Sequence, residues 1–202
     1  MRDVVLYATD TMADWEYGHI LGGVATAEAQ APGRFRTRAL SEDGGPVTTL
    51  GGMRVDVDGR IGDADPGSIA ALVLPGANTW EGGHGQALRT ASAMRAAGVP
   101  VAAICGATLG LARAGMLDGV AHTSNAPEFL ASSGYAGAGR YVEARTVSDD
   151  GVITAPGAMP VDFAAAVFRA IGLFPEPVID AWYGLFTTGE RRYFEALQGG
   201  EA

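Results

Sequence analysis

Val101-Ala-Ala-Ile-Cys105-Gly-Ala-Thr-Leu-Gly110 is the stretch on which the fold of this chain turns. Four apolar residues end in a cysteine, a glycine permits a sharp turn, and small residues suited to a helix follow at once. The stretch reads as a buried strand that delivers Cys105 to its carboxyl edge, against the positive end of a helix. Unpaired N–H groups and the macrodipole at such an end favour an anion over a neutral thiol. An ordinary thiol with a pKa of ~8.5 is only about 3% ionised at neutral pH, whereas one near ~6 is mostly thiolate. The expectation is a functional cysteine with a depressed pKa rather than a small buried hydrophobe.

On either side of this turn, short apolar runs alternate with longer amphipathic ones, the pattern of an α/β sheet with helices on both faces. Strands are expected over 4–8, 35–40, 69–74 and 99–104, and helices over 14–30, 85–97, 107–114 and 161–171. Gly98 and Gly115 stop the second and third of these helices. Hairpins are expected over 47–57, pivoting on Gly51-Gly52, and over 142–154, across Asp149-Asp150-Gly151. Residues 121–124 read as a short extended piece, Asp162 as capping or flanking the N-terminus of the helix over 161–171, and the tail from Pro175 as apolar enough to pack.

At 202 residues, 48% hydrophobic and 18% charged, the chain is expected to form one domain over 1–202. Net charge is −9 and the 14 basic residues are scattered, so no nucleic-acid partner is expected. No apolar run approaches the roughly 18 residues that would cross a bilayer, and a cytoplasmic protein is the expectation. One cysteine and three histidines, at His19, His84 and His122, give neither a disulfide nor a metal-ligand cluster, so no metal or cofactor is expected.

In open parallel sheets ligands gather at the carboxyl ends of the strands. Three loops converge there: 9–16, 76–80 and Cys105-Gly106. Glu16 sits in the first turn of its helix; if it reaches Cys105, two full charges ~4 Å apart repel by about 4 kcal/mol at an effective dielectric of ~20. The cheaper state is a protonated Glu16 that donates to a thiolate and serves as general acid. Gly76, Ala77 and Gly106 are small enough to let an anionic oxygen approach their amides, an oxyanion hole. Trp80 either walls the pocket or covers the sheet edge. His122 and Ser124 stand two apart on an extended piece and share one face, from which a general base is expected, with Asn125 beside them at the substrate. His19 and His84 read as helix-surface and loop residues.

Taken together, Trp15-Glu16, Leu74-Pro75-Gly76, Ala103-Ile-Cys105-Gly-Ala-Thr, Gly115-Met-Leu-Asp-Gly119, Ile153-Thr-Ala-Pro-Gly157 and Pro160-Val-Asp-Phe-Ala164 resemble the ThiJ/PfpI family, a class I glutamine amidotransferase-like group. The resemblance spans about residues 3 to 172 in matching order. It implies a flavodoxin-like three-layer sandwich, mostly parallel, with a small β-hairpin addition, assembled as a homodimer. It also implies Cys105 as nucleophile, Glu16 as its protonated partner, and the Ala77 and Gly106 amides as the oxyanion hole. Members with a Cys-His pair carry a histidine or an aromatic residue where this chain has Ser124, and His122 stands in as the substitute. The implied function is a cysteine-dependent hydrolase or lyase of a small electrophile: an α-oxoaldehyde, a glycated adduct, an isonitrile or an amide. The alternative is a redox sensor or stress chaperone in which Cys105 is oxidised.

Overall fold

The structure, a computed structural model, describes residues 1–199. Its centre is a seven-stranded sheet: β1 (Arg2–Tyr7), β2 (Phe35–Ser41), β5 (Gly59–Arg60), β6 (Ile69–Leu74), β7 (Val101–Ile104), β8 (Val147–Asp149) and β9 (Val152–Ala155), in the order β5-β2-β1-β6-β7-β9-β8. Every pairing is parallel except β8 with β9. The short strands β3 (Val47–Thr48) and β4 (Arg54–Val55) form a separate antiparallel hairpin.

Strands buried on both faces read as continuous apolar runs, and β6 is an example: all six of its residues are buried. Alternate residues serve opposite cores. Val4, Leu6, Ala71, Val73, Ala102 and Ile104 pack against α1 (Asp14–Gln30) and α5 (Pro160–Ile171). Val5, Tyr7, Leu72, Leu74, Val101 and Ala103 pack against α2 (Gly85–Ala96) and α3 (Gly106–Arg113). This is a flavodoxin-like α/β fold, as the alternating runs required. The chain runs from β1 outward to β2, then returns to the other side of β1 as β6. That reversal opens a crevice between the carboxyl ends of β1 and β6, with β7 alongside.

Several expectations are corrected. The piece 142–146 forms no strand; β8 begins only at Val147, and residues 121–124 make a single bridge between His122 and Tyr141. A short helix, α4 (Pro127–Ala131), follows that bridge, and the tail folds into α6 (Glu176–Thr188) and α7 (Arg191–Gly199). Trp182 of α6 meets Phe168 of α5 edge to face at 5.0 Å. Asp162 flanks the N-terminus of α5 rather than capping it: it lies buried in the first turn, where Arg145 donates two hydrogen bonds of 2.6 and 2.8 Å and the Tyr183 hydroxyl another of 2.8 Å. Among the described residues no helix is long and apolar enough to cross a membrane.

α1 passes close to α5 because Gly23 lacks a side chain. A Cβ at Gly23 would overlap the ring of Phe168, which is fully buried and cannot swing aside. Gly23→Ala is expected to destabilise the protein by about 1–3 kcal/mol through overpacking. Gly22→Ala, whose Cβ meets nothing within 4 Å, should stabilise it by about 0.5–1 kcal/mol. Urea denaturation of the two variants checks the pair, and equal midpoints would refute the packing argument.

Candidate active site at the Cys105 elbow

Cys105 ends β7 and is the N-cap of α3, with φ 56° and ψ −123°. A non-glycine residue at positive φ is strained and persists only where its surroundings hold it. Here its N–H donates to the Ala155 carbonyl at 3.0 Å, and its carbonyl accepts from the Thr108 hydroxyl at 2.6 Å. The strained turn lifts the sulfur out of the sheet and into the crevice, half-buried. The Gly106 N–H, the first of α3, is directed at it.

Glu16 reaches the same point from the first turn of α1 and is buried. Its Oε2 accepts the Gly76 N–H at 2.6 Å. Its Oε1 is buried with no hydrogen-bond partner, and the carboxyl lies beside the Cys105 side chain. Two glycines make room for the pair. A Cβ on Gly76 would lie 2.8 Å from Glu16 Oε2 and 3.0 Å from Cys105 Sγ, and one on Gly157 would lie 2.8 Å from that sulfur and 3.0 Å from Glu16 Oε1. Gly157 follows β9 as Gly76 follows β6, so both lie at carboxyl ends of the sheet. The sequence reading gave Gly157 no role, although the Pro156-Gly157 turn just after a buried strand was the available signal.

Burial pushes the Glu16 carboxyl above the ordinary carboxylate range, with the Gly76 amide and Cys105 pulling the other way. Burial also pushes the thiol up, opposed by the Asn125 amide and the Gly106 N–H and reinforced by negative charge on Glu16. The expected depression of the thiol by the helix end is thus outweighed by desolvation. Two buried acids in contact do not both ionise cheaply, so they titrate as a coupled pair.

Asn125 clamps the site. Its Nδ2 donates to the sulfur at 3.3 Å, and its Oδ1 accepts the Gly157 N–H at 2.9 Å. The exposed indole of Trp15 holds the same residue through its next peptide, donating to the Gly157 carbonyl at 3.2 Å. Trp80 is buried over the glycine face of α3, against Gly106 and Gly110. It donates to the Pro75 carbonyl at 2.8 Å and stacks on His84 at 4.2 Å; of the two readings considered for it, it lines the cavity, and it also ties down the Gly76-Ala77 loop. His84 is a loop residue, as expected, but a buried one: it is the N-cap of α2 and is hydrogen-bonded to Tyr7 at 2.8 Å. The Ala77 N–H donates to no other group among the described residues and lies beside Gly106.

His122 is not where the alternation argument put it. It is fully buried, with Nδ1 on the Val120 carbonyl at 2.9 Å and Nε2 on the Tyr135 hydroxyl at 3.0 Å, so neither ring nitrogen is free for the thiol. Ser124 is buried too, its hydroxyl 2.7 Å from that of Thr108, which itself bonds the Cys105 carbonyl. A single bridge is too short to hold the regular alternation of a strand, and that is why the face was misread. Among the described residues no group of three or more His, Cys, Asp or Glu side chains is arranged to hold a metal ion.

A flavodoxin-like sheet with a cysteine on a strained strand-to-helix elbow, against a buried carboxyl, defines a recognisable class of α/β protein. The chain belongs to the DJ-1/PfpI family, whose model matches residues 2–170. It is 34% identical over 201 residues to a Bacillus subtilis protein named uncharacterized protease YoaZ, covering 97% of this chain and 96% of that one. A second Bacillus subtilis relative, named uncharacterized protease YdeA, is 28% identical over 173 residues, 85% of this chain and 84% of its own. Among solved structures, a thiJ/pfpI family protein from Bacillus anthracis superimposes with a TM-score of 0.90 at 31% identity, covering 98% of this chain and 96% of that one. The DJ-1 superfamily protein Atu0886 from Agrobacterium tumefaciens gives 0.81 at 33% identity, over 95% and 100%.

Proposed function

We propose that this protein is a cysteine-dependent hydrolase or lyase acting on a small electrophile: an α-oxoaldehyde, a glycated adduct, an isonitrile or an amide. The observation that carries the reading is the buried Glu16 carboxyl beside Cys105, one oxygen of which, Oε1, has no hydrogen-bond partner. A carboxyl oxygen so placed is satisfied when it holds a proton and donates to the sulfur. In the reacting form Glu16 is neutral and Cys105 is the thiolate, supported by the Asn125 amide and the Gly106 N–H. The sulfur adds to the electrophilic carbon, a C–S bond forms, and the π electrons of a carbonyl move to its oxygen. Ala77 and Gly106 amides stabilise that oxyanion, and Glu16 gives it the proton.

His122 is left out of this scheme. With both ring nitrogens engaged, protonation of a leaving amine would also fall to Glu16, so the amide hydrolysis implied by the names of the Bacillus relatives would run without a Cys-His pair. The cytoplasmic location and the homodimer expected from the sequence belong to the same proposal. A second reading, oxidation of Cys105 in a redox sensor or stress chaperone, is favoured by one observation: the chain has no other cysteine to resolve a sulfenate as a disulfide.

Titration of the wild type with iodoacetamide tests the first reading. Methylglyoxal consumption, and release of amine from a glycated peptide, should fall in proportion to the fraction of Cys105 alkylated. Turnover that survives full alkylation would refute it.

A further inference from the structure

The cavity at Cys105, about 270 Å³, is lined by Ala77, Trp80, Gly106, Asn125, Leu109 and Phe129, with Glu81 at its rim. Glu81, Leu109 and Phe129 also line a second cavity of about 560 Å³, whose remaining walls are Arg113, Glu128, Ser132 and Ser133. The two adjoin at these three shared residues and are taken together as one cleft, with Leu109 and Phe129 the apolar part of the junction, its waist. One wall is a helix face: on α3, Gly106, Leu109 and Arg113 lie at i, i+3 and i+7. The facing wall is Asn125 ahead of α4, Phe129 within it and Ser132 at its C-cap. Residues at those spacings share a face, and seven residues of helix carry the cleft about 10 Å from the sulfur.

We infer that this cleft is the specificity channel of the Cys105 site and takes an elongated electrophile: a reactive carbon at the sulfur, a flat apolar segment between Leu109 and Phe129, and a cationic far end. The inference rests on the reactive-cysteine reading proposed above. The waist is apolar on both sides and the far chamber is polar, which sets the order of groups along the ligand. The sign of the far end follows from the charges there. Glu81 and Glu128 are exposed and neither has an ion-pair partner among the described residues, while Arg113, their one cationic neighbour in the lining, spends a guanidinium N–H on the Trp80 carbonyl at 3.4 Å. Two carboxylates against one guanidinium leave a net negative chamber on a chain of net charge −9. A three-carbon oxoaldehyde would occupy only the inner cavity; the cleft is built for a longer molecule.

Alkylation of Cys105, in which a C–S bond forms as iodide departs, reads the cleft without requiring turnover. Four probes are compared by intact mass at low ionic strength: iodoacetamide, N-phenyliodoacetamide, and its para-trimethylammonium and para-carboxylate derivatives. Each rate is divided by the rate of the same probe with N-acetylcysteine, which removes intrinsic reactivity. The phenyl probe should react about tenfold faster than iodoacetamide, since its ring is buried at the waist. The cationic probe should gain about a further fivefold and the carboxylate probe should fall below the neutral one.

Phe129→Ala should remove the gain from the ring. Glu81→Gln with Glu128→Gln should bring the cationic probe down to the neutral one, each probe being read as a ratio to the iodoacetamide rate of the same variant. Equal normalised rates for the four probes, or an order with the anion fastest, would overturn the channel while leaving the reactive cysteine intact. Failure of iodoacetamide itself to label the wild type would overturn both.

Discussion

Cys105→Ser is expected to lower turnover by at least about 10³-fold, some 4 kcal/mol of transition-state stabilisation, while leaving the fold intact. The hydroxyl is nearly isosteric with the thiol, and the backbone that strains the turn is untouched: φ stays at 56° and the N–H still meets the Ala155 carbonyl at 3.0 Å. Urea midpoints of the two proteins should therefore agree to within about 1 kcal/mol. What changes is acidity. A serine needs a partner base to become a nucleophile, and His122, the histidine expected in that role, has both ring nitrogens committed to Val120 and Tyr135. Asn125 donates to the nucleophile and takes no proton from it. More than a tenth of wild-type activity in Cys105→Ser, measured on the same substrates, would mean that the sulfur is a bystander and the chemistry lies elsewhere in the crevice.

The parts of this site visible in the sequence are those fixed by short-range physics. The strand, turn and helix around Cys105 follow from local residue types, and β6 and α1 have the bounds their apolar and amphipathic runs implied. The placement of Glu16, Gly76 and Trp80 about the crevice follows from the rule that loops meet at the carboxyl ends of a parallel sheet. The region 121–146 was misread because its conformation is set by distant partners. His122 is fixed by Tyr135 and Tyr141, Thr123 by Thr154, and Ala121 by the Asp149 carboxylate. No local pattern encodes those contacts. α6 was hidden for another reason: Pro177 and Gly184 interrupt a helical reading, yet Gly184 is required because a Cβ there would overlap the ring of Tyr193. The outer half of the cleft was hidden with α4, since Phe129 and Glu128 approach Leu109 and Arg113 only after that short helix forms.

Glu16→Gln separates the two ways in which one proton can be divided between Glu16 and Cys105, because an amide keeps the shape and a hydrogen-bond donor but neither ionises nor delivers a proton. If the reacting form is neutral Glu16 beside a thiolate, the glutamine N–H replaces the carboxyl proton as the donor to sulfur. Alkylation of Cys105 by iodoacetamide then stays within about threefold of wild type, whereas turnover falls by about 10²- to 10⁴-fold for want of the acid. If instead Glu16 is a carboxylate beside a thiol, the substitution removes a repulsion of about 4 kcal/mol at ~4 Å and an effective dielectric of ~20, and alkylation accelerates by more than about tenfold. The second outcome would sink the proposed proton assignment. Stability carries the same information with a definite sign. Burial raises the Glu16 pKa in the folded protein, so the folded state holds this proton more tightly than the unfolded chain. Its contribution is complete below the unfolded value of about 4.3 and is lost as pH rises through the folded value. Unfolding free energies followed upward from pH 4 should decline more steeply in the wild type than in Glu16→Gln, and parallel curves would mean that the carboxyl ionises as freely in the folded protein as in water.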